Sequence, residues 1–154
     1  GGTLGDLFQK RFGDKGRVIF MQIYLASWAV LTYLYTQIDW GTGIVIYIVA
    51  FVVGLVGSWG FSGAVLPMVG QIVEPRYAAT TFALLFSFIQ GAITAIYLLL
   101  IGPLVQALGS LDKVMFWMVS VPYAANFFFW FLFYLTYPKD VARRKARMAA
   151  QAKS

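Results

Sequence analysis

The chain has 154 residues, of which 60% are hydrophobic, 18% aromatic and 12% charged, whereas an ordinary soluble domain has about 25% charged residues. A soluble fold of this size would expose large apolar patches, so the composition predicts a protein that lies in a lipid bilayer. Without cysteine or histidine, the chain lacks thiolates, disulfides and the commonest general base and metal ligand. The net charge of +6 does not indicate nucleic acid as a partner, because the basic residues flank the apolar runs as membrane topology signals do.

Four charge-free runs follow one another along the chain, at residues 18–38, 40–73, 77–111 and 114–138. A helix needs about 20 apolar residues to cross a hydrocarbon core of about 30 Å. None of the runs alternates as a membrane-barrel strand would, and backbone groups in lipid must pair within their own segment. The sequence therefore predicts an all-α integral membrane protein with four antiparallel transmembrane helices. The predicted spans lie near residues 18–37, 43–66, 77–101 and 114–136.

The segments outside these spans have their own predicted structure. We expect residues 1–17 to form a loop and residues 139–154 to form a basic tail. The stretches 68–73 and 104–108 should continue as helix beyond the hydrocarbon core. Pro75 suits the first turn of the third helix, where the missing N–H of proline costs nothing.

The distribution of Lys and Arg predicts the orientation. With four antiparallel spans, eleven of these residues fall on one side and only Lys113 falls on the other. Since the basic side of a membrane protein faces the cytoplasm, both termini should be cytoplasmic. The eleven residues are Lys10, Arg11, Lys15, Arg17, Arg76, Lys139, Arg143, Arg144, Lys145, Arg147 and Lys153.

Small residues form regular patterns on the second and third predicted helices. Small side chains let helices approach each other closely in lipid. The candidate helix-packing residues are Gly54, Gly57, Ala79, Ala83, Gly91 and Ala95. The first and fourth helices carry bulky side chains on every face, which indicates that these two face lipid and the middle two face protein.

Polar residues on the middle helices are the candidates for a solute pathway. They are Ser58, Ser62, Ser87, Gln90 and Thr94, and Trp59 near the polar face of the second helix is a sixth candidate as an aromatic wall. Gln90 lies near the middle of its span, where an amide without a partner is costly, so it should face either another helix or a watery cavity. No Asp, Glu, Lys or Arg lies inside a span. The chain therefore has no apparent catalytic constellation, and we expect neither an enzyme nor a metal or cofactor.

A pattern of glycines and charges occupies the N-terminal segment. Its members, the loop signature, are Gly2, Gly5, Asp6, Arg11, Gly13 and Arg17. This pattern resembles the cytoplasmic-loop signature of the major facilitator superfamily, and the insertion at residues 7–10 is similar to its spinster-like branch. The stretch 74–84 resembles the start of the family's eleventh helix. The chain begins at Gly1 without a start methionine, so we expect it to be part of a longer protein.

The resemblance implies a fold and a function. The chain would run from the end of the eighth helix through the twelfth helix and the tail, as part of a six-helix half-bundle. It would be the C-terminal portion of a secondary active transporter that moves a small organic solute by alternating access. Its partners would be the bilayer, the solute and the remaining transporter helices. Asp6 would interact with a helix end of the opposite half.

Two other classes of membrane protein also have four membrane-spanning helices. A non-transporting tetraspan scaffold or complex subunit would use the same glycines and polar residues only for packing. A small four-helix multidrug exporter depends on an acid in its first helix, and the run 18–38 has none. The scaffold is therefore the main alternative to the transporter.

Overall fold

The computed structural model describes residues 2–151, and this part of the chain is helical with no strand. Four helical segments are long and apolar enough to cross a membrane: Gly2–Gln37, Ile44–Ile72, Pro75–Leu108 and Leu111–Ala150. The first segment contains two helices joined by a short 3₁₀ turn. We label the helices α1 (Gly2–Phe12), α2 (Gly16–Gln37), α3 (Ile44–Ile72), α4 (Pro75–Leu108) and α5 (Leu111–Ala150).

The expected N-terminal loop is largely helical, because residues 2–12 form α1. The chain reverses direction after α1 at Gly13, whose φ of 62° lies in the left-handed region that glycine adopts without strain. As a result, α1 packs along α2, with the ring centroids of Phe8 and Phe20 5.6 Å apart. The contact is close, since a methyl group on Gly16 would overlap the carbonyl group of Phe8. The apolar residues that favour an α1 helix lie three or four positions apart, at Leu4, Leu7, Phe8 and Phe12.

Helix α2 lies at the centre of the bundle and packs against α1, α3 and α5. The expectation that this helix faces lipid is wrong within this chain. Its bulky side chains fit against small residues of α3, as Trp28 does against Gly57 and Tyr24 against Gly60. The buried residues of α2 are Gly16, Arg17, Val18, Phe20, Met21, Gln22, Tyr24, Leu25, Ala29 and Thr32.

Helix α4 stands apart from the other helices and has no buried residue. A ring contact between Phe86 and Phe61, with centroids 4.7 Å apart, joins it to α3. Its small residues are exposed, and no other atom lies within 4 Å of a methyl group placed on Gly91. The small-residue face of α4 therefore has no partner among residues 2–151.

Several helix ends lie where the sequence predicts them. Helix α3 continues to Ile72 and α4 to Leu108, as expected for the two apolar extensions. Pro75 opens α4 directly after its N-cap, Glu74. Gly109, with φ of 81°, ends α4 in the left-handed conformation.

The antiparallel order places the Gly13–Lys15 turn, the α3–α4 connection and the tail of α5 together. At this end, Arg144 donates a hydrogen bond to the carbonyl of Gly70 over 2.6 Å. Lys145 lies 3.9 Å from Asp14. We call it the basic end. At the opposite end, the Gln37 amide donates to the carbonyl of Asp112 over 2.9 Å.

Each of α3, α4 and α5 contains one π-helical segment. These three π turns are Phe61–Val65, Ala83–Ile89 and Phe116–Ser120. Pro67 and Pro122 each follow a π turn by two residues. Because a proline ring displaces the carbonyl four residues before it, each proline acts on a carbonyl inside the preceding π turn.

Candidate functional site

A cavity of about 630 Å³ separates α4 from the rest of the bundle. Its volume falls within the range of about 300–1,000 Å³ that is usual for small-molecule sites. All four long helices contribute to its wall: Trp28 from α2, Val65 from α3, Gln90 from α4 and Tyr123 from α5. No Asp, Glu, Lys or Arg lines it. We call it the central cavity.

The lining residues of the central cavity with polar groups are Gln90, Thr94 and Tyr97 of α4, Tyr123 of α5 and Trp28 of α2. The hydroxyl of Thr94 donates to the carbonyl of Gln90 in its own helix, over 2.9 Å. The Gln90 amide has no hydrogen-bond partner among residues 2–151, so its two donors and its acceptor are available to a solute. Facing these groups, the rings of Trp28 and Tyr123 lie 6.1 Å apart between centroids. The cavity thus combines one amide with an aromatic wall.

The three π turns supply part of the same wall. Val65 belongs to the first, Phe86 and Ile89 to the second, and Met118 and Val119 to the third. π turns inside α-helices occur frequently at functional sites. Their convergence on one cavity marks it as the strongest candidate site in the described chain.

The other predicted pathway residues do not reach this cavity. Trp59 lines a separate apolar groove of about 670 Å³ between α1, α2 and α3. The hydroxyl of Ser62 donates to the carbonyl of Ser58 in its own helix, over 3.1 Å. Ser87 lies on α4 outside the cavity lining. Of the six candidates, the structure brings only Gln90 and Thr94 together in the central cavity.

The predicted helix-packing residues also differ in their surroundings. A methyl group on Gly57 would lie 2.7 Å from the ring of Trp28, so this glycine is in close contact with α2. Nothing lies within 4 Å of the corresponding position on Gly54. Ala79, Ala83 and Ala95 are exposed on α4.

Two members of the loop signature form an ion pair at the basic end. The Arg17 guanidinium lies 2.9 Å from the Asp6 carboxylate, with the Arg17 side chain 8% exposed and that of Asp6 61% exposed. Arg17 also donates to the side-chain oxygen of Gln9, while its Nη1 is buried without an acceptor. Gly5 packs directly on the backbone of Gly63 in α3. The signature thus holds α1 against both α2 and α3.

Further hydrogen bonds extend this contact to α5. The Gln71 amide donates to Gln9 over 3.4 Å, and the Tyr137 hydroxyl donates to Gln71 over 2.5 Å. Tyr137 is almost fully buried. Side chains from α1, α2, α3 and α5 are therefore linked in one network. The remaining signature residues, Gly2, Arg11 and Gly13, are exposed outside it.

Sequence reasoning missed the polar contacts of α2. The Tyr134 hydroxyl donates to the side-chain oxygen of Gln22 over 2.7 Å. The hydroxyls of Thr32 and Ser120 lie 3.1 Å apart. The sequence did contain a signal for these contacts, because Gln22 and Thr32 are polar residues in an otherwise apolar run. Polar groups in a membrane helix usually face other helices.

Among residues 2–151, no cluster of His, Cys, Asp or Glu is arranged to hold a metal ion. Comparison with protein-family models, with curated proteins and with solved structures finds no match for this chain.

Proposed function

We propose that this chain is the C-terminal portion of a secondary active transporter of the major facilitator type, moving a small organic solute by alternating access. The observation that carries the proposal is the central cavity, into which Gln90 presents an amide without a protein partner. Its lining has no charged side chain. This wall would therefore bind a neutral part of the solute, through hydrogen bonds to Gln90 and ring contacts with Trp28 and Tyr123.

The proposal places the chain across a membrane, as part of a six-helix half-bundle. Four long apolar helices support it, as do large apolar side chains on the outer surface, such as Leu99, which is 76% exposed. The exposed small-residue face of α4 is suited to close contact with a helix of the remaining transporter. The basic end would lie in the cytoplasm, together with both termini.

Cysteine labelling tests this topology directly, because the chain has no cysteine of its own. Thr42→Cys and Ala149→Cys each place one thiol at an exposed position, at opposite ends of the bundle. In intact cells, a membrane-impermeant maleimide should label Thr42→Cys and should label Ala149→Cys only after permeabilisation. Labelling of both positions from outside would rule out the proposed topology.

Gln90→Ala tests the solute site. In the intact transporter we expect the KM for the solute to rise about tenfold, which corresponds to the loss of one hydrogen bond of about 1.4 kcal/mol. Membrane abundance and thermal stability should change little, because the side-chain amide of Gln90 bonds no other residue of the described chain and alanine keeps the backbone carbonyl that Thr94 uses. Gln106→Ala is the matched control, since Gln106 is exposed on the same helix outside the cavity lining.

The alternative function is a non-transporting tetraspan scaffold or complex subunit, and the unpartnered face of α4 is the observation that favours it. In such a protein, Gln90 would bond a neighbouring helix. Gln90→Ala would then lower stability by about 1 kcal/mol, without any solute affinity to change. Measuring KM and thermal stability on the same variant separates the two functions.

A further inference from the structure

A second pocket lies at the basic end, where the tail of α5 packs beside the α3–α4 connection. It has a volume of about 170 Å³. Tyr137 and Val141 anchor the tail in the core, and Arg144 fixes it to the end of α3 through the carbonyl of Gly70. The lining residues are Ile72, Glu74, Asp140, Arg143, Arg144, Arg147 and Met148.

Hydrogen-bond donors exceed acceptors in this pocket. Arg76, adjacent to the pocket, forms a 2.9 Å ion pair with Glu74, and Asp140 has Arg143 at 3.8 Å. Arg147 has no carboxylate within ion-pair distance among residues 2–151. The Nε of Arg144 is buried without an acceptor, although its Nη1 is bonded to Gly70. Both carboxylates are thus already paired, while two guanidinium groups have unused donors.

We infer that this pocket binds a phosphate group, as carried by the headgroup of an anionic phospholipid. Planar guanidinium groups match phosphate oxygens with two parallel hydrogen bonds, which an ammonium group does not provide. The volume of about 170 Å³ is well above the ~10–15 Å³ that one water molecule needs, so the pocket has room for a group larger than water, such as a phosphate. Ile72 and Met148 give it an apolar side.

The lipid source rests on the proposed membrane placement. In that placement, the pocket lies where the apolar stretch of α3 ends, at Ile72. The cytoplasmic leaflet carries the anionic lipids, and basic residues at the ends of membrane helices attract them. A bound headgroup would join the tail of α5 to the end of α3, because Arg144 and Arg147 of α5 would hold its phosphate and Ile72 of α3 lines the same pocket.

The experiment uses the full chain in neutral detergent and measures thermal unfolding during titration with dioctanoyl phosphatidic acid, dioctanoyl phosphatidylcholine or inorganic phosphate. We expect saturable stabilisation by phosphatidic acid alone. Arg147→Gln should raise its half-saturating concentration about tenfold, as for one lost charge-assisted hydrogen bond. Lys139→Gln is the matched control, because it removes one exposed charge from the same helix outside the pocket.

Other results would overturn the inference. Equal stabilisation by inorganic phosphate would assign the site to a soluble anion instead of a lipid. An absence of saturation, or equal weakening in Arg147→Gln and Lys139→Gln, would show that the pocket does not bind phosphate. Such failures leave the cysteine labelling and the effect of Gln90→Ala on KM intact, so they can be distinguished from failure of the transporter proposal.

Discussion

Replacing Gly5 with alanine is expected to lower the free energy of unfolding by about 3 kcal/mol or more, at the upper end of the usual range for overpacked cores. A methyl group on Gly5 would overlap the carbonyl group of Gly63 in α3. The methyl group would be fixed to the backbone of Gly5, and the carbonyl belongs to the backbone of Gly63. No side-chain rotation can therefore relieve the overlap. The two helices must separate, which would also disturb the Arg17–Gln9 and Gln9–Gln71 hydrogen bonds.

Gly2→Ala provides the control for this prediction. Gly2 belongs to the same helix, and nothing lies within 4 Å of a methyl group placed there. Alanine favours helix over glycine by up to about 1 kcal/mol, so this variant should be neutral or slightly stabilising. Thermal unfolding of both variants in the same detergent provides the comparison. Equal unfolding temperatures would mean that α1 does not pack on α3 as described.

Asp6→Ala is expected to destabilise the protein more than Arg17→Met, although Asp6 is the more exposed partner. Removal of the carboxylate leaves a guanidinium that is 8% exposed and already has one nitrogen without an acceptor. Loss of one partner of a buried pair costs about 3–5 kcal/mol, and solvent access from the Asp6 side should reduce this to about 2–3 kcal/mol. Arg17→Met leaves only a solvated carboxylate and should cost about 1 kcal/mol.

The double variant Asp6→Ala/Arg17→Met makes the test sharper. With no buried charge left, it should be more stable than Asp6→Ala alone, by about 1 kcal/mol. Denaturation of the three variants under identical conditions gives these differences. Two results would contradict this account: the losses of unfolding free energy in the two single variants add up in the double variant, or Arg17→Met is the more destabilising single change. Either result would mean that the destabilisation by Asp6→Ala does not come from an unpaired buried charge.

The sequence was sufficient to predict four long apolar helices, because runs of charge-free residues are a strong and local signal. It also predicted the helical extensions to Ile72 and Leu108 and the place of Pro75 at the start of α4. These features depend on apolar length and on the lack of an N–H in proline. Neither depends on how the helices are arranged around one another.

The arrangement of the helices was harder to predict. Bulky side chains on every face of α2 indicated contact with lipid. In the structure, its aromatic rings pack against glycines of α3, as Trp28 does against Gly57. A helix at the centre of a bundle and a lipid-facing helix can therefore share the same composition. The polar residues Gln22 and Thr32, which did not enter the predictions, would have been the better guide, since each bonds a residue of α5.

The candidate site was predicted in part for a similar reason. Gln90 and Thr94 lie four residues apart on one helix, and the structure places both in the central cavity. Ser58 and Ser62 are also polar, but they are not among the residues that line the central cavity. A helical-wheel argument does not carry across α3, because the regular helix is interrupted at Ser58 and by the π turn Phe61–Val65.

Each π turn amounts to one inserted amino acid that the helix absorbs without breaking. Because successive residues advance by about 100°, the segments on either side of a π turn are out of phase by that angle. Deleting a single residue from Phe61–Val65, Ala83–Ile89 or Phe116–Ser120 would restore a regular α-helix there. It would also rotate the part of the helix on one side of the deletion about the helix axis relative to the other part. A change in winding alone, with no hinge, could therefore exchange the side chains that α3, α4 and α5 present to the central cavity.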